Sequence, residues 1–232
     1  MKPKLVTADQ EQCWNAEQLA QPVHAPRFAV WTYEQPAIVL GCSQRQQLAG
    51  LAQRAPGVQT LVRSSGGGAV LTGPWMVSSS VVLPVDHPWV AGRINESYRG
   101  LGAMYTDLLA QLDVQALPLP PAKVAAADAR LGAPIGWACY GSLASWEVVD
   151  AAGGRKLVGL AQRRQRNGVL LVAGTLVAPP DWALLCRALG HDADEAAMRQ
   201  RTVACSALNP DFVDAGTYAM RLQEALTIAL AQ

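Results

Sequence analysis

Runs of β-branched and aromatic residues divide the chain into predicted strands. Runs of this kind, bounded by turn residues, are typical of β-structure. They cover residues 27–33, 36–41, 60–63, 69–71, 77–83, 147–149, 156–164 and 169–177. A short turn at Glu34–Gln35 is expected to join the first two strands. A type I′ turn at Asn167–Gly168 is expected to join the last two, because Asn-Gly tolerates the positive φ angles of this turn.

Helical periodicity marks fewer segments. Thr7 and Gln10 fit a capping box, which predicts a helix from there to about Leu19. Apolar residues step by four and three from Ile94 to Leu112, which predicts a helix of about five turns. The other predicted helices are a short one within residues 44–51, one that begins near Pro180 and ends near Gly190, and one that starts near Asp214.

Adjacent strands interrupted by a few long helices indicate an α+β fold, with a mostly antiparallel mixed sheet flanked by helices. Residues 116–136 are rich in alanine and proline and show no clear period, so no element is assigned there. Internal repeats and an obvious linker are both lacking. The whole chain, residues 1–232, is therefore expected to form a single domain.

Composition narrows the class of protein. Half of the residues are hydrophobic, 16% are charged and the net charge is +1, so the chain is globular and nucleic acid is not an expected partner. The N-terminus lacks the apolar core of a signal peptide, and the longest apolar run, residues 168–180, is too short to span a bilayer. We therefore expect a cytoplasmic protein that does not enter membranes.

The cysteines and histidines argue against a metal site. The five cysteines form no C-x-x-C pair, which supports neither a disulfide framework nor a thiolate zinc site. The three histidines are isolated from one another in the sequence. No metal is expected.

The stretch from Thr60 to Leu71 combines an arginine, Arg63, with the consecutive glycines Gly66, Gly67 and Gly68. Glycines between two strands allow a tight turn or a close approach to a ligand, and a guanidinium suits an anionic group. The alternative is a plain glycine-rich hairpin with a surface arginine.

Lys156 opens a strand after a Gly-Gly turn, at the mouth of an apolar face. A lysine in this position could hold an anion or act as a base. The small residues Gly159 and Ala161 of the other face would allow close approach. The alternative is a strand-end lysine that reaches solvent. As a partly exposed strand-end residue, Lys156 is expected to be essential for activity but not for stability, so Lys156→Ala should leave the thermal midpoint nearly unchanged.

Cys139 lies in a segment rich in aromatic residues and glycine. A nucleophilic thiol needs a nearby cation or base, and since no histidine is close in sequence, the candidate is a lysine. The alternative is a buried, inert cysteine. Arg163, Arg164 and Arg166 cluster at the predicted hairpin tip, where they could steer an acidic partner or simply be solvated.

Three separated motifs resemble those of the biotin/lipoate protein ligase superfamily. They begin at Arg63, Gly159 and Ala173 and read Arg-Ser-Ser-Gly-Gly-Gly-Ala-Val, Gly-Leu-Ala-Gln-Arg-Arg and Ala-Gly-Thr-Leu. The similarity spans roughly Ala37 to Leu208 and is greatest to lipoate–protein ligases and cysteine-dependent octanoyltransferases. It implies that residues 1–232 form one class II synthetase-like catalytic domain, without the accessory C-terminal domain of longer ligases. It also implies that this domain transfers an octanoyl or lipoyl group to a lysine of an acceptor domain.

The resemblance also implies roles for individual residues. Cys139 and Glu147 bound a segment that looks like the octanoyltransferase motif, which implies that Cys139 forms a thioester, and Lys156 matches the family lysine. Cys139 and Lys156 are thus the implied catalytic residues. The implied substrate-binding residues are Arg63, Ser65, Gly66, Gly67, Gly68, Ala69, Val70, Thr72, Gly159, Ala161, Gly174 and Thr175.

The sequence departs from the family pattern in places. Two family histidines are absent, since Leu71-Thr72 follows the glycines and Val172-Ala173 precedes Gly174. The ligases' adenylate-binding asparagine and aspartate have no clear counterpart near Cys139. Two alternatives therefore stay open, an ATP-dependent lipoate–protein ligase acting through lipoyl-adenylate, and a noncatalytic binder of a lipoyl domain or acyl group.

The resemblance further implies the small molecules and partners. Lipoate or octanoate is the expected substrate, no tightly bound cofactor is expected, and ATP and Mg are expected only for a ligase. The expected acceptor is a lipoyl domain or a glycine-cleavage H-type protein, and an acyl carrier protein is a candidate donor.

Overall fold

The computed structural model describes residues 4–231. The strands are β1 Lys4–Val6, β2 Arg27–Tyr33, β3 Ala37–Leu40, β4 Gln59–Val62, β5 Val70–Thr72, β6 Met76–Leu83, β7 Ala116–Pro118, β8 Val148–Asp150, β9 Lys156–Gln165 and β10 Gly168–Leu176. The helices are α1 Ala8–Leu19, α2 Leu48–Arg54, α3 Arg99–Ala110, α4 Val124–Arg130, α5 Trp182–Leu189, α6 Glu195–Arg201, α7 Cys205–Leu208 and α8 Ala215–Leu230.

The strands form two sheets. The larger is seven-stranded in the order β1-β2-β6-β10-β9-β8-β7, and only its β1–β2 pair is parallel. The smaller is three-stranded in the order β4-β3-β5, parallel between β3 and β4 and antiparallel between β3 and β5. The predicted α+β class and the mostly antiparallel pairing are confirmed, and the structure adds a second, smaller sheet.

Strands β2 and β3 are consecutive in the chain but do not pair. The turn at Glu34–Gln35 carries the chain from the large sheet to the small one. Every residue of β3 is buried. A strand that is apolar on both faces is stable between two neighbours, which is where β3 lies.

Strands β4 and β5 do not form a hairpin either, because β3 lies between them. The segment from Arg63 to Ala69 therefore crosses over the end of β3. The interpretation of this stretch as a plain glycine-rich hairpin is wrong.

The helix predicted from Ile94 to Leu112 is shorter than expected. A single 3-10 turn covers Ile94–Glu96, and α3 begins only at Arg99. Ile94 is 60% exposed, so the first apolar position of the pattern has no core to face. Helices α4, α6 and α7 and strand β7 were not predicted, since they are too short to show a period.

The ends of the remaining predicted helices follow their capping residues. Helix α1 has its N-cap at Thr7, and α8 has its N-cap at Asp214, as predicted. Helix α5 begins after Asp181, whose carboxylate accepts a hydrogen bond from Leu184 N, so Pro180 precedes the cap instead of lying in the first turn. It ends at Gly190, which has a φ of 76°.

The predicted hairpin of β9 and β10 is confirmed, but its turn differs. Gly168 pairs with Gln165, so the turn residues are Arg166 and Asn167. Neither they nor Gly168 has a positive φ, so the turn is not of type I′. Asn167 is held by α1 and the segment after it, because its side chain donates to Leu19 O and its carbonyl accepts from Val23 N.

The large sheet separates two environments. On strand β10 the residues Val169, Leu171, Ala173 and Thr175 point to the face covered by α3 and α8, and the alternate residues point to the other face. That second face, together with the small sheet and α1, encloses the cavity described below. Within residues 4–231 we find no helix whose length and hydrophobicity would suit it to cross a bilayer.

Candidate functional site

A cavity of about 70 Å³ lies between the large sheet, the small sheet and α1. Alternate residues of the large sheet form much of its wall, because side chains on a strand point to opposite faces in turn. Its lining residues are Glu11, Gln12, Asn15, Val39, Arg63, Ser64, Ser65, Val70, Thr72, Met76, Ser78, Cys139, Tyr140, Gly159, Leu160, Ala161, Leu170, Val172 and Gly174.

Arg63 holds the glycine segment together. Its buried guanidinium donates hydrogen bonds to Gly66 O at 2.9 Å and to Gly68 O at 2.8 Å. Gly67, between these two residues, has a φ of +93°, a conformation that side chains with a Cβ rarely adopt. Arg63 is thus not a surface residue, and its N–H groups serve the loop backbone.

The glycine segment is joined to the segment that carries Cys139. Ala69 N donates to Trp137 O at 2.8 Å, and Cys139 N donates to Ala69 O at 2.8 Å. A Cβ added at Gly68 would lie 2.6 Å from the carbonyl carbon of Ala138. The close approach that Gly68 permits is therefore to the backbone that positions Cys139.

Cys139 is half-buried and lines the cavity, so it is not a fully buried cysteine, and the reactivity of its thiol stays a prediction. Cys13 and Cys42 are exposed and lie outside the cavity wall. Cys186 and Cys205 are buried, and burial raises the pKa of the Cys186 thiol to about 11.

Lys156 is 1% exposed, so the interpretation of this residue as a solvent-reaching strand-end lysine is wrong. Its ammonium lies 2.8 Å from Cys139 O, 3.1 Å from Ser142 O and 2.5 Å from Glu147 Oε1. A lysine ammonium has three N–H donors, and these three acceptors use all of them. Lys156 is thus a buried cation bonded to the backbone of the cysteine residue.

Glu147 completes this buried group. It is 2% exposed, and in addition to Lys156 its carboxylate accepts from Leu160 N at 3.2 Å and from Ala144 N at 2.8 Å. The residue before it, Trp146, has a φ of 65°, which is uncommon for a side chain of this size. The sequence marked Glu147 as the end of a motif but did not indicate its partner.

Tyr140 fills the space that two predicted site glycines leave. Its hydroxyl donates to Gly174 O at 2.5 Å and lies 3.4 Å from Gly159 N, which faces Gly174 across the hairpin. A Cβ at Gly174 would lie 2.9 Å from this hydroxyl, and one at Gly159 would lie 3.1 Å from the ring. Burial raises the pKa of Tyr140 well above its ordinary value, so the hydroxyl keeps its proton.

The structure brings together most of the predicted site residues. The following ones line the cavity: Arg63, Ser65, Val70, Thr72, Cys139, Gly159, Ala161 and Gly174. The others do not: Gly66, Gly67, Gly68, Ala69, Lys156 and Thr175. Thr175 lies on the opposite face of the sheet, where its hydroxyl is 3.0 Å from that of Tyr218.

Sequence reasoning missed the contribution of α1. Glu11 and Asn15 are each 3% exposed and both line the cavity. Tyr33 donates its hydroxyl proton to Glu11 Oε2 at 2.7 Å. Burial nevertheless raises the pKa of Glu11 to about 6. The available signal was the spacing of Glu11, Asn15 and Leu19, which places two polar residues on the buried face of a helix.

The arginines at the hairpin tip differ from one another. Arg164 donates to Val90 O at 2.7 Å and to Ser97 Oγ at 2.5 Å, so it ties the hairpin to the segment before α3. Arg166 lies in the turn itself and is exposed. Whether the tip steers a partner stays a prediction.

Fold and site together define a class of protein. It is an α+β catalytic domain in which a half-buried cysteine opens onto a largely apolar cavity. The backbone of this cysteine is bonded to the lysine of a buried Lys–Glu pair. Residues 10–210 match the lipoyl protein ligase A/B catalytic domain, and the chain belongs to this family.

Relatives and solved structures agree with this assignment. Octanoyltransferase LipM of Kyrpidia tusciae is 32% identical over 211 residues, which are 89% of this chain and 75% of that protein. Protein Ta0514 of T. acidophilum with bound lipoic acid superposes with a TM-score of 0.67 at 17% identity, over 100% of this chain and 86% of that one. A bipartite lipoate protein ligase of Thermoplasma acidophilum, described with its E2 lipoyl domain, gives a TM-score of 0.63 at 16% identity, over 100% of this chain and 84% of that one.

At such low identity the two solved structures establish the fold. The family match and the LipM relative confirm the predicted superfamily, and with it the class of enzyme, an acyltransferase or ligase of lipoate metabolism.

Proposed function

We propose that this protein transfers an octanoyl or lipoyl group to a lysine of an acceptor domain through a thioester on Cys139. The observation that carries the proposal is the position of Cys139. It opens onto a cavity whose surface is mostly apolar, as contact with an acyl chain requires, and its backbone is held on one side by Ala69 and on the other by Lys156. At about 70 Å³ the cavity must widen to take a whole octanoyl chain. We further propose that the chain acts as one catalytic domain, because residues of both sheets line the cavity.

In the first step the Cys139 thiolate attacks the carbonyl carbon of a donor thioester. The new carbon–sulfur bond forms at Cys139, the donor's carbon–sulfur bond breaks, and the donor leaves as a thiol after it takes up one proton. An acyl carrier protein is the proposed donor, since it would present the acyl group as such a thioester.

In the second step the amine of the acceptor lysine attacks the Cys139 thioester. An amide bond forms, the bond to Cys139 breaks, and the proton that the amine loses neutralises the departing thiolate. The proposed acceptor is a lipoyl domain or a glycine-cleavage H-type protein. The T. acidophilum ligase, which shares the fold and is described with an E2 lipoyl domain, supports the first of these acceptors.

Lys156 acts in this scheme through its position. Its ammonium places a positive charge against the backbone of Cys139 and holds the carbonyl groups of Cys139 and Ser142. To exchange a proton with the reacting groups, Lys156 must first give up one of its three hydrogen bonds.

Intact-mass spectrometry tests the proposal. The protein is mixed with an octanoyl thioester donor, and we expect the mass of one octanoyl group to appear on the wild type but not on Cys139→Ser. Adding a lipoyl domain should then discharge the adduct and acylate the domain. Cys42→Ser is the matched control, because Cys42 is exposed and lies outside the cavity wall, and it should acylate as the wild type does.

Other results would overturn the proposal in distinct ways. Acceptor modification that requires lipoate, ATP and Mg and releases pyrophosphate would identify an ATP-dependent ligase. Transfer by Cys139→Ala at the wild-type rate would show that the cysteine is structural. Binding of the acceptor with neither activity would identify a noncatalytic binder.

A further inference from the structure

Helix α1 places a polar group in the wall of a cavity whose surface is mostly apolar but also includes Arg63 and several hydroxyl side chains. Apolar side chains form most of the surrounding wall, among them Val39, Met76, Leu170 and Val172. Within this surface lie the carboxyl group of Glu11 and the amide of Asn15, one helical turn apart. Ligand cavities are mostly apolar, and their few polar groups fix the orientation and identity of the ligand.

Asn15 contributes an atom without a hydrogen-bond partner to this polar group. The residue is 3% exposed, and its Oδ1 atom has no hydrogen-bond partner among residues 4–231. A buried polar atom without a partner is destabilising, and most such atoms in folded proteins are paired. The arrangement is therefore suited to a ligand that supplies the missing hydrogen bond.

Glu11 lies beside this amide and is only partly used. Its Oε2 atom accepts from Tyr33, and among residues 4–231 its carboxyl group has no salt-bridge partner. Arg63, a cation of the same cavity wall, directs its hydrogen bonds to loop carbonyls instead. The carboxyl group of Glu11 thus keeps capacity for a further hydrogen bond next to Asn15.

A saturated hydrocarbon chain would leave both groups unpaired. A thioether or disulfide sulfur is only a weak acceptor and offers no donor. A hydroxyl group can donate its one proton to the unpaired Asn15 Oδ1, and its oxygen can accept a hydrogen bond from the Glu11 carboxyl group when that group is protonated. Of the groups that a medium-length acyl chain can carry, a hydroxyl matches this wall best.

We infer that Glu11 and Asn15 form a specificity subsite that binds a hydroxyl group on a medium-chain acyl substrate. The inference rests on the proposed function for the identity of the ligand as an acyl chain. A site built to bond a hydroxyl discriminates against an analogue without one, because its buried polar groups are then left unpaired. The protein should therefore prefer hydroxylated acyl chains to plain octanoyl chains.

Calorimetry with free acids tests this subsite without requiring transfer. The ligands are octanoate, lipoate and a series of octanoates with one hydroxyl group at successive carbons. The acid with its hydroxyl group at one particular carbon should bind the wild type roughly tenfold more tightly than octanoate does. This is the effect of one well-placed hydrogen bond. In Asn15→Leu this preference should vanish, while octanoate binds at least as tightly as before.

A matched control and a second variant keep the result interpretable. Glu17→Leu makes a comparable change on an exposed position of the same helix and should keep the wild-type preference. If Asn15→Leu does not fold, as judged by circular dichroism, Glu11→Leu replaces it and should also reduce the preference for the hydroxylated acid.

The remaining outcomes separate the two proposals. If octanoate binds but no hydroxylated acid binds better, a water molecule satisfies the polar group and only the subsite is disproved. A preference that survives in Asn15→Leu, or an Asn15-dependent preference for lipoate over every hydroxylated acid, also overturns the hydroxyl assignment. If no acid binds at all, the assignment of the cavity to an acyl chain fails as well.

Discussion

At the scale of single residues, the Lys156–Glu147 pair has the largest predicted effect on stability. Removing the lysine leaves a carboxylate that is 2% exposed without its cation. Such a loss costs about 3–5 kcal/mol. We therefore expect Lys156→Ala to lower the urea midpoint strongly, which replaces the expectation of an unchanged thermal midpoint drawn from the sequence.

Two further variants check this explanation by urea unfolding. Arg221→Ala removes the exposed ion pair with Glu224 and should cost about 1 kcal/mol or less. The double variant Lys156→Met/Glu147→Gln, which leaves no unpaired charge, should recover much of the loss. An unchanged midpoint in Lys156→Ala would contradict the buried pair.

Glu11 makes stability depend on pH. Its pKa is raised to about 6 from an ordinary value of 4.5, chiefly by burial, while Tyr33, Arg63, Asn15 and Gln12 oppose the shift. The folded protein therefore binds the proton more tightly than the unfolded chain, and stability falls as pH rises from about 4.5 to about 6. The fall should approach about 2 kcal/mol and level off above that range.

Denaturant unfolding at several pH values measures this effect. Glu11→Gln should remove the slope between pH 4.5 and 6, the two pKa values involved, and should be more stable than the wild type at pH 7. Glu17→Gln, on the exposed side of the same helix, should keep the slope. A slope that persists in Glu11→Gln would assign the titration to another group.

At the scale of elements, the crossing from β4 to β5 positions the cysteine segment. Gly68 packs against the backbone at Ala138, whereas a Cβ at Gly66 would meet no atom within 4 Å. Gly68→Ala should therefore force the two segments apart, at a cost of about 1–3 kcal/mol as for other overpacked sites. Gly66→Ala should be nearly neutral in stability.

Acylation kinetics complete this comparison. Since Cys139 N bonds to Ala69 O, displacement of the glycine segment should slow the formation of the Cys139 adduct in Gly68→Ala. The adduct should form at the wild-type rate in Gly66→Ala. Equal rates in both variants would mean that the glycine segment does not position the cysteine.

At the scale of the whole molecule, the cavity connects elements that are far apart in the chain. Its wall includes residues of α1, both sheets and the Cys139 segment. A ligand that bridges these elements should stabilise the folded state, by about 2.7 kcal/mol at a concentration one hundred times its dissociation constant. We expect octanoate to raise the thermal midpoint accordingly.

Two variants of strand β10 test where this ligand lies. Val172 lines the cavity, so Val172→Phe should fill it and abolish the stabilisation by octanoate. Thr175 faces α8, so Thr175→Val should lower the midpoint slightly but keep the full ligand-induced increase. Loss of the increase in Thr175→Val alone would place the acyl site on the other face of the sheet.

The sequence by itself determined most of the local structure. Capping residues located the ends of α1 and α8, and alternating apolar runs located the strands, because caps and side-chain periodicity act over a few neighbouring residues. The motifs around Arg63, Cys139 and Lys156 also predicted the family, which the comparisons confirmed.

Only the tertiary structure decided how these pieces meet. The division into two sheets, with β3 between β4 and β5, depends on pairing between distant segments, and the local pattern does not specify it. Long-range packing also paired Lys156 with Glu147 and joined Gly68 to Ala138. It placed Glu11 and Asn15 of α1 in the cavity wall, since burial of a polar residue depends on what packs against its helix.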